Sequence, residues 1–289
     1  MADDAAPSTF LQPGSLAGRT ALVTGGGTGL GLEVATRLGR LGANITCASR
    51  DVTHHTELIE RGREHGFDVE SLALDVRESH QVRDVVRATV RRFGGLDILV
   101  NNAAGNFLAP ALDLPPRGFR AVIDIALSGV FTMSREAGLV MRDAGGGSIV
   151  NISAPYAATG KPGVVHSACA KAGVEAMTKT LAAEWAQHRI RVNAVSPGPF
   201  HSDGAAERLW PTPELEQAVL DQIPLGRFGR ATEVADLVCL LAGPDLPWVT
   251  GSTFVTDGGW SLPRPLGPGL ASRVPRRRRT RLDDPSAEP

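Results

Sequence analysis

The chain contains a single tyrosine, Tyr156, among 289 residues, beside nine phenylalanines and four tryptophans. Any chemistry that needs a phenol has only that one. Its three cysteines, Cys47, Cys169 and Cys239, stand far apart with no CxxC, which excludes a disulfide framework and a zinc knuckle. No metal site is expected. A cationic surplus is also missing, because 30 Lys and Arg face 31 Asp and Glu for a net charge of −1. Nucleic-acid binding is therefore disfavoured, since it needs cations to neutralise phosphates. No run approaches the roughly 18 apolar residues of a membrane span. The first ten residues carry acids where a secretory leader carries cations, and the final Ala287-Glu288-Pro289 is not a peroxisomal address. A cytoplasmic setting is the default expectation. With 42% hydrophobic residues and almost no net charge, the chain is too apolar to be mainly disordered.

What the chain does have is alternation. Short apolar runs predict strands at 20–24, 44–48, 69–74, 97–100, 148–152, 190–195 and 253–256. Helical periodicity fills the gaps at 30–41, 53–65, 81–93, 118–143, 165–188 and 233–241. Continuous apolar strands between helices predict an α/β protein with a parallel sheet covered on both faces. Right-handed crossovers make it a single doubly wound, Rossmann-type domain. The domain spans 16–262, after an N-terminal extension (1–15). Residues 263–289, rich in proline and carrying the run Arg276 to Arg279, are expected to be a disordered basic tail. Segment 200–230, punctuated by Pro211, Pro213, Pro224 and Gly229, is the expected lid.

The first strand runs directly into Thr24-Gly-Gly-Gly-Thr-Gly-Leu-Gly31, with a helix after it. That context gives the glycines a mechanism. Gly25 permits the tight turn, Gly29 lets backbone approach a pyrophosphate, and Gly31 lets helix and strand pack closely. The helix N-terminus then offers unpaired N–H groups to phosphates. The second strand ends Ala48-Ser49-Arg50-Asp51. An acid there holds a ribose 2′-hydroxyl, whereas an arginine accommodates a 2′-phosphate. Ser49 and Arg50 point to NADP(H). Asp51 is the competing group, but it precedes Thr53, where an N-cap role is more natural.

The glycine spacing, GxxxGxG, is joined in order by Asn101-Asn-Ala-Ala-Gly105, Lys171, Pro197-Gly-Pro199 and Asp257-Gly-Gly259. Together these resemble the short-chain dehydrogenase/reductases from Leu16 to about Leu262. The resemblance implies seven strands in the order 3-2-1-4-5-6-7. It places Thr28, Leu30, Asp75, Val76, Asn102, Ala103, Pro197, Gly198, Phe200 and Ser202 against the dinucleotide, with Asn101 bracing the central strand and Asp75 beside the adenine.

The catalytic signature of that family departs here. Lys171 is in place, but the tyrosine four residues before it is Ser167, the upstream serine is Ala154, and the helix asparagine is Ser128. An aliphatic hydroxyl is a far weaker acid than a phenol, so ordinary carbonyl reduction is disfavoured. Tyr156 lies fifteen residues before Lys171, on the loop leaving the fifth strand, and Asn106 and Phe107 follow Asn-Asn-Ala-Ala-Gly. That spacing, with the stretch from Gly163 to Trp185, resembles the 2,4-dienoyl-CoA reductases. It implies an enzyme of unsaturated fatty-acid β-oxidation that reduces 2,4-dienoyl-CoA to 3-enoyl-CoA with NADPH. Tyr156 and Asn106 would bind the thioester carbonyl, Ser167 and Lys171 the nicotinamide ribose side.

The chemistry supplies its own reason for the change. Hydride addition to C5 of a conjugated dienoyl thioester builds a dienolate on the thioester oxygen, and the final proton goes to carbon. Such a site needs donors aimed at an oxyanion rather than a proton relay to an alcohol. Plainer roles remain open: Tyr156 as a packing aromatic, Asn106 as a turn residue, Lys171 as a solvated helix lysine. His166 and His201 flank the expected cleft and could relay a proton, but neither is assigned that role. Arg117, Arg208, Arg227 and Arg230 are candidate cations for an acyl-CoA. The competing functions are a reductase of another activated enone or carbonyl, and a catalytically silent NADP-binding subunit. Two long helices resemble those that build family homotetramers.

Overall fold

The computed structural model describes residues 11–201 and 212–263. The expected lid is thus described only in part, and Ser202, Arg208 and the tail fall outside the described residues.

The first strand, β1 (Thr20–Thr24), is buried at every position, as expected of a strand covered on both faces. It pairs in parallel with β2 (Asn44–Ser49) and β4 (Ile98–Asn101). With β3 (Val69–Ala73), β5 (Gly147–Ile152), β6 (Ile190–Pro197) and β9 (Thr253–Thr256), these form one seven-stranded sheet in the order β3-β2-β1-β4-β5-β6-β9. Order reverses between β1 and β4, which opens a crevice at the carboxyl ends of those strands. A separate two-residue pair, β7 (Phe200–His201) with β8 (Gly229–Arg230), ties the two ends of the lid region together.

Two apolar layers cover the sheet. On one face α1 (Gly29–Arg40) buries Leu30, Val34 and Leu38 against Val234, Val238 and Leu241 of a late helix, Ala231–Ala242. On the other, α3 (Ser79–Phe93) and α5 (Gly129–Ala144) bury Val82, Val85, Met133 and Met141 with Leu181 of α7 (Val165–Trp185). Each such side chain contributes about 1.5–3 kcal/mol by leaving water. Helix α2 (Thr56–His65) and the short α4 (Pro116–Ile123), α6 (Tyr156–Thr159) and α8 (Pro213–Leu220) complete the set, with Ala231–Ala242 as α9. No described helix is long and apolar enough to cross a membrane.

The strands and most helices lie where periodicity put them. One exception is the helix expected over 118–143, which is α4 and α5 joined by a wide π turn, Asp124–Ser128. There the Gly129 N–H reaches back five residues to the Asp124 carbonyl. A Cβ on Gly129 would come within 2.7 Å of Val76 Cγ2, so the glycine lets α5 press against the loop after β3. The helix expected from 53 instead begins with a 3-10 turn, Val52–His55. Asp51 caps that turn, accepting from the Thr53 N–H at 2.9 Å and the Thr53 hydroxyl at 2.6 Å.

Candidate active site

The glycine turn after β1, where a phosphate is expected, is built from backbone. Gly25 and Gly29 have φ of +65° and +52°, conformations open to glycine at little cost. A Cβ on Gly31 would stand 2.0 Å from the Gly25 carbonyl oxygen, so only glycine lets α1 start this close to β1. Thr28 precedes α1 without a side-chain cap, and the first turn carries no acid. The unpaired N–H groups there are thus free to face an anion. Across the crevice, Asn102 gives both amide hydrogens to the Thr24 and Gly25 carbonyls, at 3.0 and 3.1 Å. The Asn102 and Ala103 N–H groups both donate to the Thr24 hydroxyl at 3.0 Å. The asparagine side chain therefore shapes the loop. Asn101 lies one layer deeper, donating at 2.9 Å to Ser134 and to Asn151, which in turn donates to Thr178 at 2.9 Å.

At the carboxyl end of β2, Ser49 is half-buried and Arg50 exposed. Asp75 is gripped by Arg77, whose Nε and Nη2 lie 2.9 and 2.5 Å from its two oxygens. That guanidinium holds the Asp75 carboxyl below its ordinary pKa. Val76 is buried. Near the far end of the crevice, Gly198 packs on Asp257, where a Cβ would come within 2.5 Å. This brings Pro197-Gly-Pro199 against Asp257-Gly-Gly259, and Phe200 pairs with Gly229 in β7–β8.

The residues expected to be catalytic lie at a corner formed by β5, α6 and α7. Pro155 ends the excursion from β5 and starts α6 with Tyr156 in its first position. Ser167 and Lys171, one helical turn apart on α7, share a face, and both are buried. The Tyr156 hydroxyl lies 3.0 Å from Ser167 Oγ. Lys171 Nζ donates to the Ile152 carbonyl at 2.6 Å, and burial pulls its pKa down to about 8. Burial pushes the Tyr156 phenol up from its ordinary value, while the Ser167 hydroxyl pulls the other way. The phenol is therefore a neutral O–H donor at pH 7. Ala154, where the family carries a serine, is buried and has no hydroxyl, and Ser128, where it carries an asparagine, is exposed in the π turn.

Asn106 is half-buried, and its Oδ1 accepts from the Phe107 N–H at 2.9 Å. Its amide N–H₂ is left as the end open to a carbonyl. No hydrogen bond joins Asn106 to Tyr156 among the described residues. They are linked instead through Phe107, whose ring centroid is 4.5 Å from that of His166, next to Ser167. His166 is fully buried, and neither ring nitrogen makes a well-aligned hydrogen bond among the described residues. Burial lowers its pKa, and the Phe107 backbone beside the ring opposes that lowering.

Phe107, Leu108 and Leu112 are exposed apolar residues of the loop after β4. Arg227, one of the candidate cations, is already committed: it clamps both oxygens of Glu233 at 2.7 and 2.9 Å. That pair takes the Glu233 carboxyl down to about 2. Arg230 also approaches Glu233, at 3.5 Å. Arg117 is exposed. A cavity of about 510 Å³ lies away from Tyr156, between α8 and the turn Gly226 to Phe228.

A family model described as enoyl-(acyl carrier protein) reductase matches residues 25–261. The chain belongs to the short-chain dehydrogenase/reductases. A putative short-chain alcohol dehydrogenase from Sinorhizobium meliloti superposes with a TM-score of 0.82 at 34% identity, over 85% of this chain and 97% of the other. Among named relatives, the peroxisomal 2,4-dienoyl-CoA reductase of Arabidopsis thaliana is 40% identical, covering 88% of each chain. A probable 2,4-dienoyl-CoA reductase of Bacillus subtilis is 38% identical over 86% of this chain and 99% of its own. As a short-chain dehydrogenase/reductase, this chain is an oxidoreductase with a nicotinamide-dinucleotide fold. The peroxisomal relative does not sit neatly with the cytoplasmic expectation.

Proposed function

We propose that the protein is an NADPH-dependent reductase of 2,4-dienoyl-CoA thioesters, forming the 3-enoyl product. The observation that carries this reading is the catalytic corner: a phenol that burial pushes further above its ordinary pKa, within hydrogen-bond distance of Ser167, where the usual Tyr-x-x-x-Lys pair is absent. The cofactor fits the residues present. Lys171 is a buried ammonium with three donors, and among the described residues its one hydrogen bond goes to Ile152. Ribose hydroxyls would satisfy the others, and the uncapped start of α1 would take the pyrophosphate. Thr28, Leu30, Asp75, Val76, Asn102, Ala103, Pro197, Gly198, Phe200 and Ser202 would line the rest of the dinucleotide. Arg50 would make the charge-assisted contact to a 2′-phosphate, because Asp51 is occupied as a cap.

When bound, the nicotinamide supplies a hydride. The chain supplies the environment for the charge that results. Tyr156 O–H and the Asn106 amide would donate to the thioester oxygen as it becomes an enolate oxygen. Two neutral donors suffice, and losing one costs on the order of a hundredfold or more in rate. Lys171 would favour negative charge nearby and hold the ribose. The exposed Phe107, Leu108 and Leu112 offer an apolar rim suited to an acyl chain.

A second reading, reduction of another activated enone, draws support from Arg227, whose pairing with Glu233 removes one cation from CoA recognition. The printed names also differ on product: the Arabidopsis relative is (3E)-enoyl-CoA-producing and the Bacillus one (2E)-enoyl-CoA-producing. Incubation with NADPH and 2,4-hexadienoyl-CoA, with the product identified by NMR, tests all of this. Turnover to the 3-enoyl thioester is expected. Turnover of simple ketones alone would overturn the proposal, a 2-enoyl product would correct where the proton lands, and cofactor binding without any turnover would mark a silent subunit. The homotetramer is tested by light scattering on the purified protein.

A further inference from the structure

His55 is wholly buried in the 3-10 turn between β2 and α2, and both ring nitrogens are engaged. Nε2 lies 2.7 Å from Ser49 Oγ at the end of β2. Nδ1 lies 2.7 Å from Ser71 Oγ on the neighbouring strand β3. Ser49 Oγ also donates to the Asp51 carbonyl at 2.9 Å. A hydroxyl has one hydrogen, so Ser49 accepts from His55, and the proton sits on Nε2. Nδ1 then accepts from the Ser71 hydroxyl. Burial lowers the imidazole's pKa, His54 adds to that lowering and Asp51 opposes it. The ring also supports the phosphate loop, since a Cβ on Gly27 would come within 2.8 Å of His55 Cδ2.

We infer that His55 is a positioning residue for the cofactor's ribose 2′ end, holding Ser49 ready as a hydrogen-bond donor to a 2′-phosphate. The inference rests on the reading of Ser49 and Arg50 as the 2′ contacts. Nε2–H anchors the serine oxygen, so its single hydrogen can turn from the Asp51 carbonyl to a phosphate oxygen without the side chain losing its place. A bond to a charged acceptor is roughly twice as strong as a neutral one, so the arrangement favours the phosphorylated cofactor. Asp51, whose carboxylate would repel that phosphate, is turned into the cap of the same 3-10 turn. A buried imidazole, its two serines and the capping aspartate thus form one unit behind the specificity end of β2.

The test is the dissociation constant of NADPH and of NADH, measured by calorimetry on the full chain. His55→Leu should weaken NADPH about tenfold, the effect of losing one hydrogen bond to a charged group, and NADH less than about threefold. His55→Gln, which restores an N–H of similar reach, should recover most of the loss. In a Ser49→Ala background His55→Leu should change neither constant further, because coupled neighbours are not additive. Equal losses for both cofactors, or an undiminished His55→Leu effect without Ser49, would reduce His55 to loop support and overturn the inference. If His55→Leu does not fold, Ser71→Ala removes the far end of the chain with His55 in place, and an NADPH-selective loss is again required. A wild type that prefers NADH would break the NADPH reading separately, while the double-mutant comparison still decides whether His55 acts through Ser49.

Discussion

The phosphate loop and the catalytic corner sit at the same edge of one sheet, yet they are built by opposite means. The loop is made of backbone, with left-handed glycines, a close approach at Gly31 and N–H groups facing outward. The corner is made of side chains that meet across the chain, Tyr156 with Ser167 and Lys171 with a carbonyl of β5. Backbone sites tolerate no added atom but do not depend on a partner. Side-chain sites are stable only while each member keeps its place, and here buried polar groups lean on one another across the chain.

The sharpest break between the two would come at Gly31. Gly31→Ala places a methyl group 2.0 Å from a backbone oxygen, and the strain should cost about 3 kcal/mol or more. Thermal unfolding and nicotinamide binding should both suffer, whereas an alanine that bound cofactor normally would deny the loop its assigned geometry. At the corner, Lys171 offers a pH test. Its folded value of about 8 lies below the roughly 10.4 of an unfolded lysine. Between those values the unfolded chain holds a proton that the folded one has shed, so stability of the cofactor-free protein should rise with pH across that window. The rise attributable to Lys171 should be on the order of 3 kcal/mol and vanish in Lys171→Met, as read by urea unfolding at several pH values. Asn151→Ala should cost about 2 kcal/mol, because it strips a partner from buried Asn101 and Thr178. His166→Leu should cost least, within about 1 kcal/mol of wild type and of either sign, since neither ring nitrogen makes a well-aligned bond among the described residues and the Phe107 backbone lies beside the ring. A large loss there would reveal a partner for the imidazole.

The same contrast explains what was legible in the sequence. Strands and the glycine turn are local patterns, and Thr20–Thr24 with its following loop reads directly. Asp51 as a cap was also local, two residues from the group it holds. The π turn at Asp124 was not, and Gly129, which ends it, packs against Val76 of a distant loop. His55 left no trace in the pattern either. Its partners, Ser49 and Ser71, are six and sixteen residues away on separate strands. At the corner, resemblance singled out Tyr156, Ser167 and Lys171. It expected Ser167 on the ribose side, and the structure adds a bond from Ser167 to the phenol. No spacing rule places a hydroxyl on a tyrosine eleven residues earlier.

The central claim is that Tyr156 acts as a donor to an enolate oxygen rather than as a proton relay to an alcohol. Tyr156→Phe removes only that hydroxyl, and steady-state kinetics with 2,4-hexadienoyl-CoA reads the result. The account predicts kcat lower by on the order of 100-fold or more, with the NADPH dissociation constant changed less than about threefold. Undiminished dienoyl turnover in Tyr156→Phe would contradict it.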